Sequence, residues 1–204
     1  ERFLQLQGRR VLTRPMKGTR RRGSGDIADR NLRAELLNSP KDKAELLMIV
    51  DLERNDLGKV CEYGSVKVTE MRNLEVYSTV FQTTAAIEGR LHKDKDRIDL
   101  IKAGFPGGSI TGCPKIRAME IIEELEPTKR AVYTGSLGYL SFTGDMDLNI
   151  LIRTLLVVPD KLYFQVGGGI VADSRPEDEY EETLVKARAL FSCLSASQKN
   201  LTRV

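Results

Sequence analysis

Histidine is nearly absent from this sequence: His92 is the only one in 204 residues. It lies in the charged stretch Leu91-His-Lys-Asp-Lys95, which reads as a solvated turn. A His-rich zinc site therefore lacks the imidazoles it needs, and a Ser-His-Asp triad, which would have to use His92 in that solvated turn, is close to excluded. Cysteine is scarce as well, with Cys61, Cys113 and Cys193 scattered, odd in number and free of any CxxC spacing, so neither a disulfide framework nor a thiolate metal site is indicated. Long apolar runs are missing; Leu46–Val50 and Leu155–Val158 fall far short of the roughly 18 residues that span a bilayer. No signal-peptide pattern opens the chain, so a reducing cytoplasm is the expected setting. Nor is there an excess of one charge: 32 Lys+Arg stand against 29 Asp+Glu, a net +3. What remains for chemistry is carboxylates, lysines, backbone amides and a bound cation.

What is present reads as a globular chain, 41% apolar and long enough to bury a core. Residues 3–14 alternate apolar and polar about Gly8, a strand or hairpin. The Gly-rich stretch 15–25 reads as a loop. A short helix is expected over 27–37, followed by a longer one that starts at Ser39-Pro40, with Ser as N-cap and Pro at the first helical position. Strands are expected at 65–77 and 79–90, and a helix near 95–103 leads into the loop Phe105–Pro114. Ile116, Met119, Ile122 and Leu125 mark another helix, stopped by Pro127. Strands 135–142, 147–158 and 161–167 then precede a final helix from Pro176 to about residue 196. Grouped strands with helices between the groups define an α+β class with mainly antiparallel sheets.

Several clusters could carry chemistry. Asp42 with Glu45, and Glu179 with Glu182, lie three apart on helices, so each pair shares a face. Two such faces suit a hard cation like Mg2+, which takes one or two carboxylates and keeps water; acids at this spacing also serve simply as solvated helix faces. The loop Gly107–Gly112 opens a helix, where backbone N–H groups suit an anion or form an ordinary strand-to-helix turn; Cys113-Pro114 after it rules out a Walker loop. Gly167, Gly168 and Gly169 permit close ligand approach or merely a bulge. Five cations in Arg14–Arg22 could meet nucleic-acid phosphates, but no aromatics interleave them and the chain is almost neutral; Lys17 could instead act as an amine nucleophile. Arg153, alone in an apolar stretch, calls for an anion partner, and Tyr139 on a neighbouring strand offers a phenol.

In this order the pieces resemble the chorismate-utilising enzyme family. The resemblance is carried by Lys41–Asp56, Pro106-Gly-Gly-Ser-Ile-Thr-Gly-Cys-Pro-Lys-Ile-Arg-Ala-Met-Glu120, Gly135-Ser-Leu-Gly-Tyr139, Val166-Gly-Gly-Gly-Ile-Val-Ala-Asp-Ser174 and Glu179-Tyr-Glu-Glu-Thr183. It implies a body of two face-to-face, mainly antiparallel sheets flanked by helices, of which residues 1–204 would be the C-terminal portion of a single catalytic domain, its N-terminal part lying before Glu1. Pro15-Met-Lys-Gly-Thr19 resembles the branch that aminates chorismate at C4 towards p-aminobenzoate and folate; branches forming anthranilate, isochorismate or salicylate are the alternatives, and a basic nucleic-acid-binding module is the alternative of another class.

That resemblance implies the following roles. Lys17 is the covalent nucleophile, with Glu1 assisting it by ion pairing or proton transfer. Glu45 and Glu182 are direct Mg2+ ligands, and Glu179 and Asp42 act through water. Gly108 and Ser109 donate to the ring carboxylate of chorismate, with Lys186 near it, while Tyr139, Arg153 and the Gly167, Gly168 and Gly169 amides hold the enolpyruvyl carboxylate. Ammonia from a separate glutamine amidotransferase subunit is the implied co-substrate, with neither nucleic acid nor membrane as partner. One departure is Gln82, where many relatives carry His: Gln donates a hydrogen bond but is no general acid.

Overall fold

The computed structural model describes residues 1–201, with side chains through 194 except at 189. The chain divides into two compact units. The first comprises residues 1–126 and 136–150 and holds one antiparallel sheet of seven strands. These are β1 (Arg2–Gln7), β2 (Arg10–Arg14), β3 (Met16–Arg21), β4 (Lys67–Val76), β5 (Val80–Arg90), β6 (Ser136–Leu140) and β7 (Met146–Ile150). Along the sheet the order is β3-β5-β2-β1-β7-β6, with β4 on the other edge of β5.

β5 is the spine of this sheet. Every side chain from Phe81 to Ile87 is buried, the pattern of a strand covered on both faces. β2 and β3 follow one another along the same edge of β5: Thr13 pairs with Ile87 and Met16 with Thr84. Between them stands buried Pro15, which has no N–H to offer, while its carbonyl accepts from Ala85 N at 3.1 Å. The expected loop over 15–25 is therefore a strand as far as Arg21. Its glycines and arginines hid an edge held by β5, far along the chain, which local composition does not report.

Helix α1 (Asp26–Asn38) and α2 (Pro40–Gly58) pack on this sheet. Ser39 caps α2 as expected, its Oγ accepting from Asp42 N at 3.2 Å, with Pro40 at N1. The buried residues of α2 are Leu46, Ile49, Val50, Leu52, Glu53, Asp56 and Leu57, a helical face that contains two acids. Helix α3 (Arg97–Gly104) begins with a capping box on Asp96 and Asp99. A single 3-10 turn, Gly108–Ile110, then leads to α4 (Lys115–Leu125).

The second unit comprises residues 127–135 and those from Leu151 on. It contains the short hairpin β8 (Leu156–Val158) and β9 (Lys161–Tyr163) and the long helix α5 (Pro176–Leu201). The strand expected over 147–158 is broken: β7 ends at Ile150, Arg153 takes φ +51° and is exposed, and pairing resumes only at Leu156. An unbroken apolar run looked like one strand, yet the turn at Arg153 redirects it, so Arg153 is not a buried strand residue. The strand expected over 161–167 likewise stops at Tyr163.

Candidate active site

In the first unit, the resemblance-derived residues Glu1, Lys17 and Ser109 come together. Ser109, in the 3-10 turn, donates its hydroxyl to Glu1 Oε1. The Glu1 backbone carbonyl accepts from Ile150 N at 3.1 Å, fixing the residue at the sheet margin. Burial pushes the Glu1 carboxyl above the usual range, while the Ser109 hydrogen bond and the charge of Lys17 pull it down. Lys17 therefore lies within electrostatic reach of Glu1.

Lys17 sits on β3 opposite Thr83, whose hydroxyl donates to the Lys17 carbonyl. Gly18 beside it has φ +80°, and a Cβ there would lie 2.8 Å from Leu36 Cδ1 and 3.1 Å from Asp42 Oδ1. Only glycine meets both demands. Asp42 thus abuts the Lys17 segment, and its Oδ2 accepts from Arg20 Nη2 at 3.1 Å. Glu45, one helical turn on, has Lys41 Nζ at 3.9 Å. Gln82 is buried and donates from Nε2 to Thr19 Oγ1 at 3.3 Å, a structural use of the side chain that stands where relatives were expected to carry His.

The basic run is largely engaged within the chain. Arg14 reaches Glu75 at 2.8 Å, Arg20 reaches Glu35 at 2.7 Å, and Arg22 grips Asp29 with two bonds while lying 4.8 Å over the Phe81 ring. Tyr139 on β6 is paired opposite Asp147 and is exposed. Gly108 packs so tightly against α2 that a Cβ would meet Leu52 Cδ2 at 2.8 Å.

In the second unit, Glu179 and Glu182 converge on the glycine run. A Cβ on Gly168 would lie 3.1 Å from Glu179 Oε2 and 3.8 Å from Glu182 Oε1. Glu179 is buried and accepts from Ser174 Oγ at 2.6 Å. Lys186 Nζ bonds the Gly167 carbonyl at 2.9 Å and sits 2.6 Å from Glu182 Oε1. Two carboxylates beside an open backbone cradle fit a hard cation that retains water, although no group of three or more potential ligands clusters among the described residues. Gly169 lies in the same glycine run.

One member of the first cluster was not singled out by sequence. Glu53 on α2 is 8% exposed and accepts from Thr13 Oγ1 at 2.9 Å. Burial, then the charge of Glu1, drives its carboxyl up to about 8. The signal was there: position 53 continues the buried stripe of Leu46, Ile49 and Val50, where an acid is out of place.

Residues 1–192 match the family model for chorismate binding enzyme, and the chain belongs to the chorismate-binding enzyme family. It is 53% identical over 194 residues to an anthranilate synthase component I-like protein of Synechocystis sp., covering 95% of this chain and 40% of that protein. It is 52% identical to aminodeoxychorismate synthase component 1 of Salmonella typhimurium, covering 94% and 42%. The crystal structure of anthranilate synthase component I from Streptococcus pneumoniae superposes with a TM-score of 0.82 at 42% identity, over 92% of this chain and 41% of that one. The chain thus spans about two fifths of the length of these relatives.

Proposed function

We propose that this chain carries chemistry of aminodeoxychorismate synthase component I, converting chorismate and ammonia to 4-amino-4-deoxychorismate. The observation behind this choice within the family is Lys17: a primary amine in Pro-Met-Lys-Gly-Thr, fixed on β3 against β5 and within the field of the Glu1 carboxyl. Lys17 Nζ, as the free amine, bonds to ring C2 of chorismate while the C4–O bond breaks, and the hydroxyl leaves as water with the proton that Glu1 took from the lysine ammonium. Ammonia then forms the C4–N bond as the C2–N bond breaks, which returns the lysine amine. Glu1 passes that proton to the leaving hydroxyl, and the proton that the new C4 ammonium sheds restores the lysine ammonium beside the ionised Glu1.

Glu179 and Glu182 are the acids proposed to hold Mg2+, and the resemblance alone carries Glu45 and Asp42 into the same role. Bound there, Mg2+ supplies positive charge for the ring carboxylate. Ser109, Gly108 and Lys186 are proposed for that carboxylate, and Tyr139, Arg153 and the amides of Gly167, Gly168 and Gly169 for the enolpyruvyl carboxylate. Ammonia is proposed to come from a glutamine amidotransferase partner, in the cytoplasm.

The deciding experiment supplies the intact protein with chorismate, Mg2+ and ammonium and reads products by mass. 4-Amino-4-deoxychorismate is expected. Anthranilate or isochorismate as main product overturns this reading in favour of a sister reaction, and absence of turnover with tight, salt-sensitive duplex binding overturns it in favour of nucleic-acid recognition.

A further inference from the structure

The loop that carries Ser109 leaves α3 at Gly104 and enters α4 at Lys115, and the Lys115 side chain joins its two ends. Its Nζ donates to the Gly104 carbonyl at 2.8 Å and to Asp56 Oδ2 on α2 at 2.5 Å. Both charged side chains are enclosed, Lys115 at 14% exposure and Asp56 at 5%. Lys59 Nζ takes the other Asp56 oxygen at 2.8 Å from the solvent side, half its own side chain being exposed.

The helices themselves give this ion pair no local reason to exist. Asp56 lies in the last turn of α2, where the helix dipole disfavours negative charge, and its burial adds the cost of lost water. No residue of α4 is buried, so the enclosed Lys115 side chain, rather than apolar packing, seats the first turn of that helix. Between its ends the loop has little slack. A Cβ on Gly107 would meet Ile150 Cδ1 at 2.9 Å, and one on Gly108 would meet Leu52 Cδ2 at 2.8 Å. Leu52 and Asp56 are one turn apart on α2, so one helix face holds the middle of the loop through Leu52 and both its ends through Asp56 and Lys115. Ser109 stands in the 3-10 turn next to Gly108, its hydroxyl on Glu1 Oε1.

We propose that Asp56 and Lys115 are positioning residues whose ion pair clasps the loop to α2 and thereby sets where the Ser109 hydroxyl stands. The clasp itself is independent of the reaction; its consequence for chorismate rests on the function proposed above, in which Ser109 serves the ring carboxylate. A hydroxyl already in place need not be ordered when the substrate arrives, so the clasp favours binding.

The test uses the intact protein with Lys115→Met, with Asp56→Asn and Lys115→Met combined so that no unpaired charge is left, and with Lys59→Met. Hydrogen–deuterium exchange without ligand reads the loop. Backbone amides between 105 and 112 should exchange ~10-fold faster in both Lys115 variants, and at the wild-type rate in Lys59→Met, which strips Asp56 of a cation without freeing the loop. Unchanged exchange in the Lys115 variants, or equal acceleration in Lys59→Met, overturns the clasp. With chorismate and ammonium, Lys115→Met should raise KM for chorismate ~10-fold, about one charge-assisted hydrogen bond, and leave kcat within ~3-fold. On a Ser109→Ala background the same substitution should raise KM by no more than ~3-fold, because the hydroxyl it positions is already gone. An undiminished rise there, or a fall in kcat at constant KM, overturns action through Ser109. Should the Lys115 variants fail to fold, acetylation of the wild type read by mass decides: Lys115 should react at least ~10-fold more slowly than Lys59, and equal rates overturn the clasp. Lack of turnover by the wild type overturns the proposed function and leaves exchange to judge the clasp.

Discussion

Lys17 has a fixed backbone and a charged neighbour, and those two facts make its proposed role open to direct test. Chorismate incubated with the intact protein without ammonia should leave a lysine-borne mass adduct, and Lys17→Ala should abolish it; an undiminished adduct would reject the nucleophile. Glu182 presents a carboxylate to the Gly168 cradle, already beside Lys186. Glu182→Gln should therefore raise the Mg2+ concentration for half-maximal activity by tenfold or more, roughly the loss of one charged ligand, and Glu45→Gln should do likewise; unchanged Mg2+ titrations would remove them from the ligand set. Gly18 is constrained by both φ and neighbours, so Gly18→Ala should destabilise by ~1–3 kcal/mol in denaturant melts. Glu53 shows why part of the site was illegible. A motif names residue types, and the meaning of this acid depends on its facing the sheet rather than water, which only the packed helix reveals.

At the level of elements, local signals were legible where the chain solves its own end effects. Ser39-Pro40 announced α2, and Ser39→Ala should cost ~1 kcal/mol of stability by removing the acceptor for Asp42 N, measurable by chemical denaturation. Asp96 and Asp99 cap the start of α3 in the same self-contained manner. Legibility ended where pairing was remote. β3 depends on β5, and nothing within Met16–Arg21, with its glycine and three basic residues, reads as a strand. The opposite error arose at Arg153, where a run of β-formers concealed a turn set by one residue with positive φ. Composition records preference; partners decide the outcome.

Across the whole molecule, the buried acids tie stability to pH. An unfolded glutamate releases its proton near 4.5, whereas folded Glu53 holds it to about 8, so between those values the folded state binds the extra proton. This contribution is complete below pH 4.5 and disappears as pH rises towards 8, a decline on the order of several kcal/mol that Glu53→Gln should flatten. Urea melts of both proteins across pH 5–8.5 would show it, and parallel curves would contradict it.

The seating of Pro15 has a mechanical consequence. Because β2 and β3 share one edge of β5 with a single proline between them, the distance from Thr13 to Lys17 is counted in residues against a fixed ruler. One residue inserted between them would turn the Lys17 side chain to the opposite face of the sheet. The same insertion at residues 23–25, beyond the end of β3, would leave it where it is. Length, at four positions before an amine, is as much a part of the site as the amine itself.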